Sequence, residues 1–214
     1  MAEGVETELC LAVELGISMK PLTGVLNGFA ANFAPVCLEI LRPSPIDTAA
    51  LLKDGRADIG IMAEQESYPQ GFQFRGVGHS RLVPVCAHDH PLATGADVGY
   101  PDLRRHRQII SHSRSNAAST PKGEIKSASI WISESPNLIV DLVVSGFGWT
   151  ELPYSVVAGH IASGALVKLN YAFQQGDILE AIDVVWTERH ALGVSGRWMR
   201  DELLHLPQST WRDG

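Results

Sequence analysis

The sequence predicts an α/β protein of two Rossmann-like lobes, joined by two chain crossings, with a ligand cleft where the lobes meet. Three observations carry this. Residues 9–62 read strand, helix, strand, helix, strand, a spacing that demands a parallel sheet with right-handed crossovers. A second α/β series follows the extended residues 72–87. After Asn170 the chain turns back into one more strand and helix, which are placed with the first series.

In the first lobe, residues 9–15 form a strand and Gly16-Ile17-Ser18 a loop into a helix over 19–33. Residues 36–41 form the second strand. Ser44 can cap the next helix, Pro45 fits its first position and Asp47 favours the positive end of its dipole. That helix runs to Asp54, Gly55 stops it, and residues 57–62 are the third strand. Residues 64–71 are polar, with Pro69 and Gly71, and read as a surface loop. Residues 72–87 are extended but broken by Gly76 and Gly78, and form the first crossing, leading into a second-lobe strand at 81–87.

The second lobe holds a short helix after Pro101 and strands at 108–111 and 129–133. The central stretch, 138–153, follows. Leu138, Ile139, Leu142 and Val143 share one helix face, Gly146 ends the helix by stepping into φ > 0, and Gly148 keeps the turn small. Residues 147–152 are then a buried strand, and Pro153 opens a helix over 154–162. A strand at 166–169 closes the lobe, and the return segment adds a strand at 179–187 and a helix at 195–206. Residues 111–126 are rich in Ser, Ala and Lys and read as a loop or frayed helix.

Composition narrows the function. The chain has 214 residues, 45% hydrophobic and 19% charged, which is globular. A net charge of −7 is a poor match to a phosphate backbone, so this chain should not itself grip DNA or RNA. No apolar run reaches membrane-span length, and the acidic start has no signal core, so a cytoplasmic protein is expected. Cys10, Cys37 and Cys86 lie in apolar strand-like runs without a CxxC and read as buried, reduced thiols. No cofactor is indicated. His88-Asp89-His90 lacks a third metal ligand at matching spacing, and GxSxG, P-loop and HExxH motifs are absent, so no catalytic or metal residues are assigned.

Four segments carry a family. They are Asp54-Gly55-Arg56-Ala57-Asp58-Ile59-Gly60-Ile61, then Leu82 to Ala93 (LVPVCAHDHPLA), then Asp102-Leu103, then Val144 to Pro153 (VSGFGWTELP). In this order and spacing the chain from about 9 to 206 resembles the effector-binding domain of LysR-type transcriptional regulators. The resemblance implies a type 2 periplasmic-binding-protein-like fold with a small polar effector between the lobes. It also implies a homodimer or homotetramer and an N-terminal helix-turn-helix that binds DNA, which these residues do not include. It makes Asp89-His90-Pro91-Leu92 a turn, and pairs the helix at 19–33, with Leu22, Val25, Leu26 and Phe29 on one side, against the partner's helix at 138–145. On this reading residues 1–8 are a linker remnant, 9–75 and 173–207 build lobe I, 76–172 build lobe II and 208–214 are a tail. A free-standing solute-binding protein of the same fold is the alternative, and an enzyme on this scaffold the more distant one.

Candidate ligand contacts sit at the ends of strands, where α/β sheets bind. Gly16, Ile17 and Ser18 offer backbone N–H groups and a hydroxyl, or simply cap a helix. Ser44 has the same two readings. Ala63 stands where some family members carry Arg. Ser111, His112 and Ser113 follow a second-lobe strand, and Glu134 precedes Ser135, which is itself a cap candidate. Trp149 and Glu151 share one face of the strand after Gly148. A carboxylate there must be neutralised, paired within the protein, or turned toward the cleft. If it faces the cleft it repels dianions and selects an amine or a polyol, with Trp149 as a platform for a cation or ring.

Overall fold

The structure is a computed structural model and describes residues 6–44, 47–111 and 125–212. In chain order its elements are β1 (Glu8–Val13), α1 (Leu22–Asn32), β2 (Cys37–Leu41), α2 (Asp47–Lys53), β3 (Ile59–Ala63), β4 (Phe72–Ala87), α3 (Tyr100–Arg105) and β5 (Gln108–Ser111). They continue with β6 (Ile130–Ser133), α4 (Pro136–Val144), β7 (Trp149–Pro153), α5 (Tyr154–Ala162), β8 (Leu166–Lys168), β9 (Ile178–Thr187) and α6 (Val194–His205), before a closing 3-10 turn, Gln208–Trp211. The chain divides into two compact units. Unit 1 is Met1–Ser80 with Glu180–Gly214, and unit 2 is Arg81–Leu179. The division falls later than the expected boundaries at 75/76 and 172/173. Gly76 and Gly78 do not interrupt β4, which runs through both as one 16-residue strand.

In unit 1, β1 pairs in parallel with β2 on one side and β3 on the other, and β9 runs antiparallel to β3. β1 is buried on both faces, as its continuous apolar run demands. Alternation sends Leu9, Leu11 and Val13 into a core with Val25, Phe29 and Met199, while Cys10 and Ala12 join Leu52, Met62 and Val185 on the other side. α2 packs close against β3 because residue 60 is Gly: a Cβ there would sit 2.7 Å from Thr48 Cγ2 and 2.9 Å from Leu52 Cδ1.

Three expectations about unit 1 need correction. Leu22, Val25 and Phe29 of α1 are buried in the unit's own core and Leu26 packs against it, so this stripe is not open to a partner. Cys37 is exposed, because β2 is the edge strand and Cys37 stands at its open start; Cys10 and Cys86 are buried. The expected tail is anchored, since Trp211 is buried in the unit 1 core.

In unit 2, β7 lies between β4 and β5, antiparallel to the first and parallel to the second, and β6 extends the sheet parallel to β5. Ser135 caps α4, its hydroxyl accepting from Leu138 N–H at 3.4 Å, and Pro136 opens the helix. Gly146 takes φ 79° beyond its end. Gly148 is required for a different reason from the expected small turn. A Cβ would lie 2.2 Å from the Arg107 carbonyl oxygen, to which Trp149 N–H donates at 2.9 Å. His88 and Asp89 form a turn after β4, and His90 Nδ1 accepts from Leu92 N–H at 3.1 Å. No helix among the described residues is long and apolar enough to cross a membrane.

Candidate functional site

In unit 1 the carboxyl ends of three parallel strands are tied together by hydrogen bonds. Glu14 continues β1, its N–H donating to Ile61 O at 2.9 Å, and Leu15 N–H reaches across to Pro43 O at 2.8 Å. The chain then reverses. Gly16 takes φ 98°, a left-handed conformation that a side chain would strain, and Ile17 N–H returns to Glu14 O at 3.1 Å. Arg42, the first residue after β2, donates from Nη2 to Ile17 O at 3.0 Å and so links the loops after β1 and β2. Ala63, the last residue of β3, donates its N–H to Glu14 Oε2 at 3.2 Å.

Glu14 is the unusual group. By alternation it falls on the face of Cys10 and Ala12, and it is only 4% exposed. Burial is the main cause that pushes its carboxyl up to about 8, with Glu180 and Asp47 adding to the rise and Ala63 N–H and Arg42 opposing it. At neutral pH Glu14 therefore carries a proton. Arg42 is exposed, though desolvation by its surroundings lowers its ordinarily high pKa while Glu14 opposes the change. No ion pair involves Arg42 among the described residues.

The structure brings together the candidates of unit 1 but changes their roles. Ile17 offers no side chain to a ligand, since it is buried in the core, and its N–H and carbonyl are both engaged. Ser18 acts as a cap, Oγ accepting from Lys20 N–H at 3.2 Å. Ser44 is half-buried and its carbonyl accepts from Asp47 N–H at 3.2 Å. Ala63 gives its N–H to Glu14 and its carbonyl to Gln65 Nε2 at 3.0 Å. Glu14 and Arg42 were not among the sequence candidates. Glu14 had a signal, a carboxylate ending an apolar run on a face that alternation buries; Arg42 had none.

In unit 2, Ser111 ends β5, and its buried Oγ has no hydrogen-bond partner among the described residues. His112 and Ser113 lie outside the described residues. Glu134 follows β6, half-buried and next to the Ser135 cap. Trp149 must be withdrawn as a platform. It is fully buried with Cys86, Leu103 and Tyr171, and its indole N–H donates to His106 O at 3.2 Å. Glu151 resolves its three alternatives by internal pairing within unit 2. Lys126 Nζ lies 2.8 Å from Oε2, and Tyr171 Oη donates to Oε1 at 2.6 Å. Burial and then the Glu151 charge push the Tyr171 phenol up, so it stays a donor. With both oxygens engaged, Glu151 has no reason to repel a dianion or attract an amine. Among the described residues no cluster of His, Cys, Asp and Glu could hold a metal.

Comparison with known proteins assigns the chain. The HTH-type transcriptional regulator AceR of Acinetobacter baumannii is 25% identical over 203 residues, 94% of this chain and 67% of the regulator. The chain spans half or less of several other curated regulators that it matches, down to 40%. Among solved structures, the effector-binding domain of QuiR in complex with shikimate superposes with a TM-score of 0.75 at 15% identity, covering 97% of this chain and all of that one. The CcmR regulatory domain of Synechocystis PCC6803 in complex with 2-PG gives 0.73 at 16% identity, covering 93% and 96%. At such identities these two establish the fold, a mixed α/β regulatory domain of the type 2 periplasmic-binding-protein kind. Residues 2–207 match the family model of the LysR substrate binding domain, and the chain belongs to that family of transcription-regulator domains, which are not enzymes.

Proposed function

We propose that this chain is the sensing part of a bacterial transcriptional regulator, binding a small polar metabolite at the strand ends of unit 1 and relaying the event to an N-terminal helix-turn-helix. The observation that carries this reading is the strand-end cluster itself. It gathers Gly16–Ser18, Ser44, Ala63, the protonated Glu14 and an Arg42 guanidinium without an ion-pair partner among the described residues, at the place where α/β sheets bind ligands. The solved relatives that hold shikimate and 2-PG support a small-molecule effector. Ser111 is a second, separate candidate contact. The relay is a population shift: the effector favours one of two domain states by its difference in affinity for them.

The regulator is cytoplasmic on this reading and works as a homodimer or homotetramer. The small exposed residues of α1 (Gly24, Ala30 and Ala31) and the exposed Leu138 and Val144 of α4 are its proposed contact surfaces. DNA is met only through the N-terminal domain.

The test is a thermal-shift screen of a metabolite library. A ligand at about 100 times its Kd adds roughly 2.7 kcal/mol, or about 5–10 °C in Tm for a chain of this size. Ser44→Ala should weaken the response to the hit. Absence of any stabilising molecule would refute ligand sensing.

A further inference from the structure

We propose that Glu6 is a latch: its carboxylate seats on the start of α6 and fixes the path by which the chain enters β1. The latch belongs to unit 1 alone. Its part in signalling rests on the relay proposed above, which must leave unit 1 through the residues ahead of β1.

A helix leaves its first N–H groups without partners, and the residue just before it ordinarily supplies a side-chain oxygen to one of them. The residue before α6 is Gly193, which has no side chain to offer. The acceptor comes instead from Glu6, 189 residues away in the chain. Its Oε2 accepts from Ser195 N–H at 3.0 Å and from Ser195 Oγ at 2.8 Å, and its Oε1 accepts from Gly196 N–H at 3.1 Å. Burial opposes ionisation of Glu6, but its own N–H and these three donors hold the carboxyl below its ordinary range. A negative charge therefore rests on the positive end of the α6 dipole.

Two glycines make the space for this carboxylate. A Cβ on Gly193 would lie 2.3 Å from Glu6 Cδ, and its three nearest atoms all belong to the Glu6 carboxyl group. With φ −73° Gly193 adopts a backbone conformation open to any residue, so Glu6 is what requires glycine there. A Cβ on Gly196 would lie 3.0 Å from Glu6 Oε1 but also 3.1 Å from Leu192, a less selective constraint.

The next residue ties the same segment to a different element. Thr7 O accepts from Cys37 N–H at 2.9 Å, where the pairing of β1 with β2 opens. Consecutive residues are thus held against α6 and against β2. The helix itself does not need the latch to stay in place. Trp198 packs on Phe29 and Phe33 of the α1 region, with ring centroids 6.2 and 5.6 Å apart, and Met199 and Leu203 lie in the unit 1 core. Opening the latch therefore frees the chain entering β1 and leaves α6 seated. With the latch closed, a displacement at the start of α6 is passed to that chain through three hydrogen bonds.

The experiment is amide exchange by NMR with thermal denaturation, on this chain. Glu6→Ala should lower Tm by about 2–6 °C and speed exchange of the Ser195, Gly196 and Cys37 amides at least tenfold. Glu6→Gln, which keeps the shape without the charge, should give a smaller loss of the same kind. Gly193→Ala should reproduce the effect of Glu6→Ala, and the two together should cost no more than either alone, because both empty one seat. Sodium formate, against sodium chloride at equal ionic strength, should restore protection of Ser195 and Gly196 in Glu6→Gly while Cys37 stays fast, since formate refills the seat without tethering the chain. Circular dichroism checks that each variant is folded. Unchanged Cys37 exchange in Glu6→Ala would reduce Glu6 to a helix cap and overturn the latch, and so would additive losses from Gly193→Ala and Glu6→Ala. Either result leaves ligand sensing standing, because the metabolite screen reads the strand-end site. The expected exchange pattern together with a screen that yields no hit would confirm the latch and remove the relay.

Discussion

Replacing Glu14 by Gln should make the protein more stable, and more so as pH rises. The native state holds this carboxyl in protonated form up to about pH 8, while the unfolded chain releases the proton near 4.5. Between those values the folded state binds one more proton than the unfolded state. The stability that this proton confers is complete below pH 4.5 and is lost as pH climbs through 8, at about 1.4 kcal/mol per pH unit. At pH 7 the loss amounts to about 3 kcal/mol, and above pH 8 it approaches about 5 kcal/mol. Gln keeps the shape and the acceptor for Ala63 N–H but does not titrate. Wild type and Glu14→Gln should therefore run close together near pH 4.5 and diverge above it, by about 6–12 °C in Tm at pH 7. Urea denaturation of both proteins from pH 4.5 to 9 measures the difference directly. Parallel stability curves across that range would show that Glu14 is ionised in the fold, and would remove the basis for a protonated carboxyl beside Arg42.

Further outcomes test unit 2 and the thiols. Lys126→Met leaves Glu151 buried with Tyr171 as its remaining partner, and should cost about 3 kcal/mol in denaturation, at the low end for a broken buried pair. Gly148→Ala forces a Cβ against the Arg107 carbonyl, which is backbone and cannot rotate away; a loss of about 3 kcal/mol or more is expected, measured by the same unfolding assay. A maleimide should label Cys37 quickly in the native protein and Cys10 and Cys86 slowly, because burial raises both of the latter thiols, Cys86 up to about 11. Mass spectrometry of the labelled peptides reads the order, and rapid labelling of Cys86 would contradict its burial.

Local chemistry made much of the fold legible. The reading of residues 72–87 as extended agrees with the ends of β4, and residues 154–162 with those of α5. Ser135-Pro136 and Gly146 bracket α4 because a cap, a fixed φ and a left-handed stop act within a few residues of the chain. What escaped depends on neighbours that only the folded topology supplies. Cys37 looked like Cys10, each in an apolar run, but β1 lies between two strands and β2 has a neighbour on one side only. Trp149 and Glu151 share a face, as alternation requires. One is sealed beneath Tyr171, and the other is held by a lysine 25 residues away. Gly148 was noted for a turn, whereas its constraint comes from the Arg107 carbonyl, just before β5.

The strand-end cluster separates the two kinds of information most sharply. Cys10, Ala12 and Glu14 alternate with Leu9, Leu11 and Val13, so a carboxyl on a buried face could be inferred from composition and period alone. Its protonation could not, because that turns on whether a cation pairs with it. The parallel register of β1 with β2 sets Ala12 beside Leu41, so the next residues, Val13 and Arg42, continue side by side at the sheet edge. From there the arginine reaches the Ile17 carbonyl rather than the Glu14 carboxylate.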